Sequence, residues 1–139
     1  MPVKTVRMTM DKKEQDLYLT NLTDTVNRII ADSGVKEGSV TVYVPGSTAA
    51  VTTFEYEPNL IRDLGRLLER ITPSDIDYEH QKTWGESNGK SHLRSTLFGT
   101  SMTIPFTDGK LPGDQWQQVV LMDFDVRIRK REFIVQIMW

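Results

Sequence analysis

The sequence contains no cysteine and only two histidines among its 139 residues. The lack of cysteine excludes disulfide bonds, thiolate nucleophiles and zinc sites built on sulfur. No stretch reaches the roughly 18 consecutive apolar residues of a membrane-spanning helix, and the segment from Met1 to Lys4 lacks the apolar core of a signal peptide. We therefore expect a soluble, cytoplasmic protein without membrane contact.

Net charge is also nearly absent, since 17 basic residues stand against 19 acidic ones and leave a balance of −2. Such a chain has no overall field that would gather polyanions or hold it on an acidic membrane. No nucleic-acid-binding motif is present either. We expect no nucleic-acid partner, and any anion-binding site must be local.

The chain is long enough to bury one hydrophobic core and too short for two, so residues 1–139 are expected to form a single domain. Alternating or continuous apolar runs bounded by turn residues predict the strands. The first two should pair as a hairpin around residues 11–13, and the third and fourth are either two strands or one broken strand. The predicted strands are Val3–Met10, Gln15–Thr20, Val40–Val44, Ala49–Phe54, Thr100–Phe106, Gln117–Phe124 and Glu132–Trp139.

Two main helices are predicted. The first begins near Thr23 and ends at Gly34, and the second runs from Pro58 to Ile71, where apolar residues recur at helical spacing. The segment Leu93–Phe98 suits a short helix or a strand. The order β-β-α-β-β-α-loop-β-β-β predicts an α+β fold with a mixed or antiparallel sheet, sandwich-like or barrel-like.

The polar segment between Pro73 and Ser91 is too rich in aromatic and titratable residues for a simple connector. His80 lies within it and His92 directly after it. With Glu55, Glu86 and Asn88 they could serve a divalent metal or a proton-transfer site. Their twelve-residue spacing is equally compatible with structural or solvated histidines.

Other candidates also have two interpretations. Trp84 could stack on a ligand ring or pin the loop to the core. The basic run from Arg127 to Arg131 could bind phosphate, although alternate residues of such a run usually face solvent. Glu55 could be a functional acid near a helix N-terminus or an ordinary helix cap. Ser47 and Thr48 could hold a phosphate or cap a turn.

Walker, Rossmann, metalloprotease and nucleophile-elbow motifs are all missing. A likeness to one family extends over nearly the whole chain instead. Residues 47–52, Ser-Thr-Ala-Ala-Val-Thr, followed by the acidic Glu55, are similar to a family stretch that begins His-Thr-Thr-Ala-Ala. The motifs Tyr78-Glu79-His80, Thr83-Trp84, Ser87-Asn88-Gly89, Ser91-His92-Leu93-Arg94, Gly99–Pro105 and Asp123-Phe124-Asp125 follow in order. The chain thus resembles the YjbQ-like family, whose members often carry the label secondary thiamine-phosphate synthase.

This resemblance implies an α+β homotrimer with a polar pocket around the histidine loop, and a thiamine-phosphate synthase-like transferase activity. Carried over by position, it implies catalytic roles for Glu55, His80 and His92. It implies ligand-binding roles for Trp84 and Asn88, and in the enzyme interpretation Arg94 or Lys90 would lie near the phosphate of the ligand. His80 and His92 would also hold a divalent metal, zinc or magnesium.

The sequence departs from the family pattern at four positions. Gly46, Gly85 and Lys90 stand where relatives often carry histidine, and Lys82 replaces an aspartate. Fewer imidazole ligands weaken a transition-metal site, and the added lysines favour an anion. The alternative to an enzyme is therefore a catalytically degenerate homotrimer that binds a small anionic or phosphorylated molecule. A purely structural or protein-interaction module is the third possibility.

Overall fold

The computed structural model describes residues 1–139 and contains seven strands and four helices. They confirm the α+β class. In chain order they are β1 (Val3–Asp11), β2 (Tyr18–Asn21), α1 (Thr23–Ser33), β3 (Gly38–Tyr43), β4 (Ala49–Phe54), α2 (Pro58–Ile71), α3 (Gln81–Trp84), α4 (Gly89–Phe98), β5 (Ser101–Phe106), β6 (Gln118–Asp123) and β7 (Lys130–Met138).

The strands form two antiparallel sheets rather than a closed barrel. One has the order β1-β7-β3-β5 and the other the order β2-β6-β4. The two apolar runs separated by Pro45 and Gly46 are therefore two strands, and they lie in different sheets.

The predicted hairpin between the first two strands is wrong, because β1 pairs with β7 and β2 pairs with β6. The alternation of a strand fixes which side chains share a face, but it does not select the neighbouring strand. The connecting segment crosses from one sheet to the other along the link between β6 and β7. The amide of Lys12 donates to the carbonyl of Arg129, and that of Asp16 to the carbonyl of Asp125.

Two hydrophobic clusters lie on opposite faces of the sheet that contains β6. The larger comprises 17 buried residues between the two sheets and α1, and the smaller comprises 7 that include two leucines of α2. Val119 and Leu121 of β6 belong to the first cluster, whereas Val120 and Met122 belong to the second. A strand buried on both faces needs apolar residues at every position, which explains the unbroken apolar run in its sequence.

The ambiguous segment near residue 93 is the helix α4. Its buried face carries Ser91 and Ser95, whose hydroxyls donate to the carbonyls of Phe124 and Ala49, both at 2.6 Å. Leu93 and Leu97 are exposed instead. Because the helix is anchored by hydroxyls and not by leucines, it lacks the apolar periodicity that identifies helices. None of the four helices is both long enough and apolar enough to cross a bilayer.

Candidate functional site

An open cavity of about 440 Å³ lies where the β3–β4 loop, the start of α4 and the β6–β7 connection meet. Its wall is almost entirely polar and contains a single apolar side chain, that of Trp84. The lining residues are Gly46, Ser47, Thr48, His80, Trp84, Glu86, Asn88, His92, Asp125, Arg127, Arg129 and Arg131. Of the six residues predicted to have catalytic or ligand-binding roles, four meet here, namely His80, Trp84, Asn88 and His92.

The two histidines form a close pair in this wall. Their ring centroids are 4.8 Å apart and the rings meet edge to face at 77°. The Nδ1 atom of His92 lies 3.0 Å from the carbonyl oxygen of Ser47. A carbonyl only accepts hydrogen bonds, so this contact assigns the proton of the neutral ring to Nδ1. The Nε2 atom of His92 is therefore the nitrogen that can accept a proton from a ligand.

Asp125 organises two of the three cavity arginines. Its buried carboxylate lies 3.3 Å from Nε of Arg127 and 3.1 Å from Nη1 of Arg129. Burial opposes ionisation of the group, but hydrogen bonds from both arginines hold the pKa of Asp125 well below its usual range. The carboxylate is therefore charged at neutral pH and fixes both guanidinium groups at the cavity wall.

Arg131 is held by a second carboxylate beneath the cavity. Its side chain is 1% exposed, and its Nε and Nη2 atoms donate to Asp123 at 2.8 and 2.9 Å. Nη2 also donates to Thr48 Oγ1 at 2.9 Å. Lys12, equally buried, donates to Asp123 at 3.2 Å and to the carbonyl of Asp125. Burial lowers the pKa of Lys12, and the charge of Asp123 opposes that effect.

The cavity wall and the buried charged side chains beneath it together carry a net charge of +1 when both histidines are neutral, because they contain four cationic side chains and three carboxylates. The cations are Lys12, Arg127, Arg129 and Arg131, and the carboxylates are Glu86, Asp123 and Asp125. A weakly acidic chain therefore contains a local cationic site suited to an anion.

Two buried polar atoms at this cavity have no partner within the protein, Nη1 of Arg131 and Oδ1 of Asn88. The amide of Asn88 is oriented by Glu86, which accepts from its Nδ2 atom at 3.2 Å. Gly46 has a φ of +110°, and a Cβ there would stand 3.1 Å from Nη1 of Arg131. Glycine thus permits the bend and avoids a tight contact between a side chain at position 46 and this nitrogen.

The structure does not bring Glu55 or Arg94 into the cavity. Glu55 is exposed beyond the far end of β4, separated from Thr48 by a strand of about 20 Å. The carboxylate that caps α2 belongs to Glu57, which accepts from the amides of Asn59 and Leu60.

Arg94 lies on the side of α4 that faces the end of α2. Its Nε donates to Thr72 Oγ1 at 2.8 Å, and its Nη2 donates to Glu69 at 3.0 Å and to the carbonyl of Thr72 at 2.8 Å. Through these contacts the guanidinium group links α4 to the end of α2. The side chain is therefore not oriented toward a ligand in the cavity.

The two lysines expected to favour an anion also lie outside the arginine cavity. Lys82 pairs with Glu79 at 2.6 Å, and Lys90 pairs with Asp16 at 2.9 Å. The cationic character of the cavity comes instead from Arg127 and Arg129 of the β6–β7 connection and from Arg131 of β7.

Lys12, Asp123 and Asp125 were not predicted as parts of the site, and the basic run that includes Arg131 was expected to face solvent. One signal for the two aspartates was available in the sequence. They lie at the end of the apolar strand β6, and arginines follow Asp125 at the second, fourth and sixth positions. Acids at the end of a buried strand need cationic partners, and these arginines are the nearest ones. No comparable signal marks Lys12.

A resident zinc or magnesium ion finds few donors here. No group of three or more His, Cys, Asp or Glu side chains is placed to hold a metal ion. Catalytic zinc normally takes three protein ligands, and magnesium favours carboxylate oxygens, whereas those of Asp125 are engaged by arginines. The donor set does not fit a resident ion of either kind. The metal predicted from the sequence stays a prediction whose donors would be His80 and His92 alone.

Comparison with known sequences gives one consistent result. The family model described as "UPF0047 protein YjbQ-like" matches residues 6–139. A UPF0047 protein of Methanocaldococcus jannaschii is 34% identical over 128 residues, which cover 91% of this chain and 87% of the relative. A UPF0047 protein of Archaeoglobus fulgidus is 32% identical over 114 residues, covering 82% and 86%.

Solved structures agree with the sequence matches. A YbjQ-like protein of unknown function from Sulfolobus solfataricus superposes with a TM-score of 0.89 at 28% identity, covering 98% of this chain and 96% of the other. A hypothetical protein from Aeropyrum pernix gives 0.88 at 27% identity, with coverages of 97% and 98%. The fold of these proteins is therefore shared over the full domain.

Proposed function

Because the chain belongs to the UPF0047 YjbQ-like family, we propose that it acts on a small phosphorylated molecule, with the arginine cavity as binding site and the histidine pair as proton-transfer group. The arginines are Arg127, Arg129 and Arg131, and the histidines are His80 and His92.

The observation that carries this proposal is the unpartnered Nη1 of Arg131. A buried donor without an acceptor destabilises a protein by about 1–3 kcal/mol, so its persistence beside a cavity calls for an acceptor from outside the chain. Guanidinium groups match the oxygens of phosphate in geometry and charge. A phosphate oxygen at this nitrogen would satisfy Arg131 and meet the excess positive charge of the cavity.

The remaining cavity groups suit acid–base chemistry beside that anion. The Nε2 atom of His92 accepts a proton, while the Nδ1 contact with Ser47 holds the ring in place. Oδ1 of Asn88 has no partner and accepts a hydrogen bond from the ligand. The more specific form of the proposal, taken from the family resemblance, is a thiamine-phosphate synthase-like transferase.

A second candidate is binding of the same anion without turnover. The absence of a third metal-binding side chain beside His80 and His92 favours it. One assay distinguishes the transferase from the binding protein without turnover. It measures the formation of thiamine phosphate from its pyrimidine pyrophosphate and thiazole phosphate precursors. Formation by the wild type that His92→Gln abolishes supports the transferase. Phosphate binding without product formation supports the second candidate.

The binding site itself is tested with inorganic phosphate. We expect titration calorimetry to detect phosphate binding at millimolar concentrations and the substitution Arg129→Met to weaken it about 10-fold or more, because a charge-assisted hydrogen bond is lost. Arg129 is partly exposed, so the variant should fold. The control is Arg66→Met on α2, whose exposed side chain lies far from the cavity lining. Absence of phosphate binding to the wild type, at matched ionic strength, would refute the proposed site.

The homotrimer and the cytoplasmic location stay predictions from the sequence. Leu67 and Ile71, one turn apart on α2, are about half exposed, as expected for residues at a contact between copies. We expect light scattering to give three times the 16.0 kDa chain mass, and Leu67→Asp to shift the particle toward one chain. A wild type that is monomeric at all concentrations would contradict the prediction.

A further inference from the structure

A second cavity, of about 380 Å³, lies against the other side of the histidine pair. Its six lining residues are Tyr78, Glu79, His80, Gly89, His92 and Leu93. We call it the tyrosine groove. It shares His80 and His92, and no other residue, with the arginine cavity. The two imidazoles therefore stand between two compartments.

The tyrosine groove differs in chemistry from the arginine cavity. Its one carboxylate, that of Glu79, is paired with Lys82 at 2.6 Å. The hydroxyl of Tyr78 donates to the carbonyl of Pro73 at 2.7 Å, so this polar end of the side chain is already satisfied. What the groove presents to a ligand is the tyrosine ring, the aliphatic side chain of Leu93 and the imidazole rings.

The wall formed by Tyr78 is fixed by close packing. A Cβ atom at Gly89 would lie 2.7 Å from the Cβ of Tyr78, so only glycine allows α4 to approach the ring at this point. Leu93 follows one turn later and is 48% exposed. Apolar surface of this kind, on a preformed wall beside a polar site, is typical of pockets that bind the body of a small ligand.

We infer that the ligand of this protein has two parts, an anionic group bound by the arginine cavity and an aromatic or other apolar body bound in the tyrosine groove. This inference rests on the proposed function, because it takes the arginine cavity as the anion site. Because His80 and His92 line both cavities, groups on the two sides are separated at this point only by the imidazole side chains, which is within the length of one small molecule. The histidine pair then faces the bonds that join the two parts, which is where proton transfer would act.

The test compares inorganic phosphate with phenyl phosphate, which adds one aromatic ring to the same anion. We expect the wild type to bind phenyl phosphate about 10-fold more tightly than phosphate, because the ring leaves water for an apolar wall. Leu93→Ser should remove most of this preference and leave the affinity for phosphate unchanged. The matched control is Leu97→Ser, one turn further along α4, exposed and outside the groove.

Each other outcome overturns the inference in a recognisable way. Equal affinity of the wild type for the two ligands overturns the inference and leaves the phosphate site intact. Binding of neither ligand overturns the proposed function as well. If Leu93→Ser changes the mass of the particle in light scattering but leaves the preference for phenyl phosphate, a second copy of the chain covers the groove instead.

Discussion

Asp123→Ala is expected to lower the free energy of unfolding by about 3–5 kcal/mol, because it breaks a buried ion pair from one side. The carboxylate is fully buried and accepts from Lys12 and Arg131, whose side chains are also buried. Removing it leaves two cations without their main counter-charge.

The measurement is equilibrium denaturation in urea at neutral pH, with Asp32→Ala as the control. Asp32 is an exposed aspartate near the end of α1, so its loss should change the stability by less than about 0.5 kcal/mol. Lys12→Met adds a second test. It removes one of the two cations and fills the space with an apolar chain, so its cost should be smaller than that of Asp123→Ala. A loss below about 1 kcal/mol for Asp123→Ala would contradict the account of this charge cluster.

The same cluster shows why the candidate site was only partly predictable. Lys12 lies 111 residues before Asp123 in the sequence, and the basic run that contains Arg131 was expected to face solvent. They meet because β1 pairs with β7 and the chain then crosses between the sheets. That pairing was predicted incorrectly as a local hairpin, and the error concealed the position of Lys12 beneath the cavity. The long-range strand pairing is therefore what could not be predicted, and without it the buried part of the site could not be predicted either.

The histidine pair was found for a different reason. His80 lies within a polar segment whose composition is unusual for a connector, and His92 follows it directly. This local signal does not depend on the sheet topology. Two short helices then place them together, since His80 precedes α3 and His92 lies in α4. Their tautomer and their contact with Ser47 depend on the β3–β4 loop and were not accessible from the sequence.

Within the fold, elements with a continuous apolar stripe were predicted well and those held by polar contacts were not. The helix α2, observed over Pro58–Ile71, was predicted to start at Pro58 and to end before Pro73, because its leucines recur at helical spacing. The acid that caps it was less predictable. Glu55 and Glu57 both follow β4, but only Glu57 stands where its oxygens reach the free amides of the first turn.

Arg94→Ala separates a structural role from the ligand-binding role that was predicted for this residue. We expect the substitution to lower the free energy of unfolding by about 2–3 kcal/mol, since it deletes buried hydrogen bonds to Thr72 as well as the ion pair with Glu69. The affinity of the folded protein for phosphate should not change. Arg66→Ala on the exposed side of α2 is the control and should have little effect on either quantity.

The pH dependence of the free energy of unfolding at acidic pH is a second measurement that tests Arg94→Ala. Hydrogen bonds from Ser74, and then from Arg94, lower the pKa of Glu69 from 4.5 to about 2. A carboxyl group whose pKa is lower in the folded state stabilises the protein at pH values above its unfolded pKa. This stabilisation is lost as the pH falls from about 4.5 toward 2. Arg94→Ala should therefore reduce this pH dependence without removing it, because the Ser74 contacts remain. Unchanged stability with phosphate binding weakened as strongly as in Arg129→Met would instead place Arg94 at the ligand.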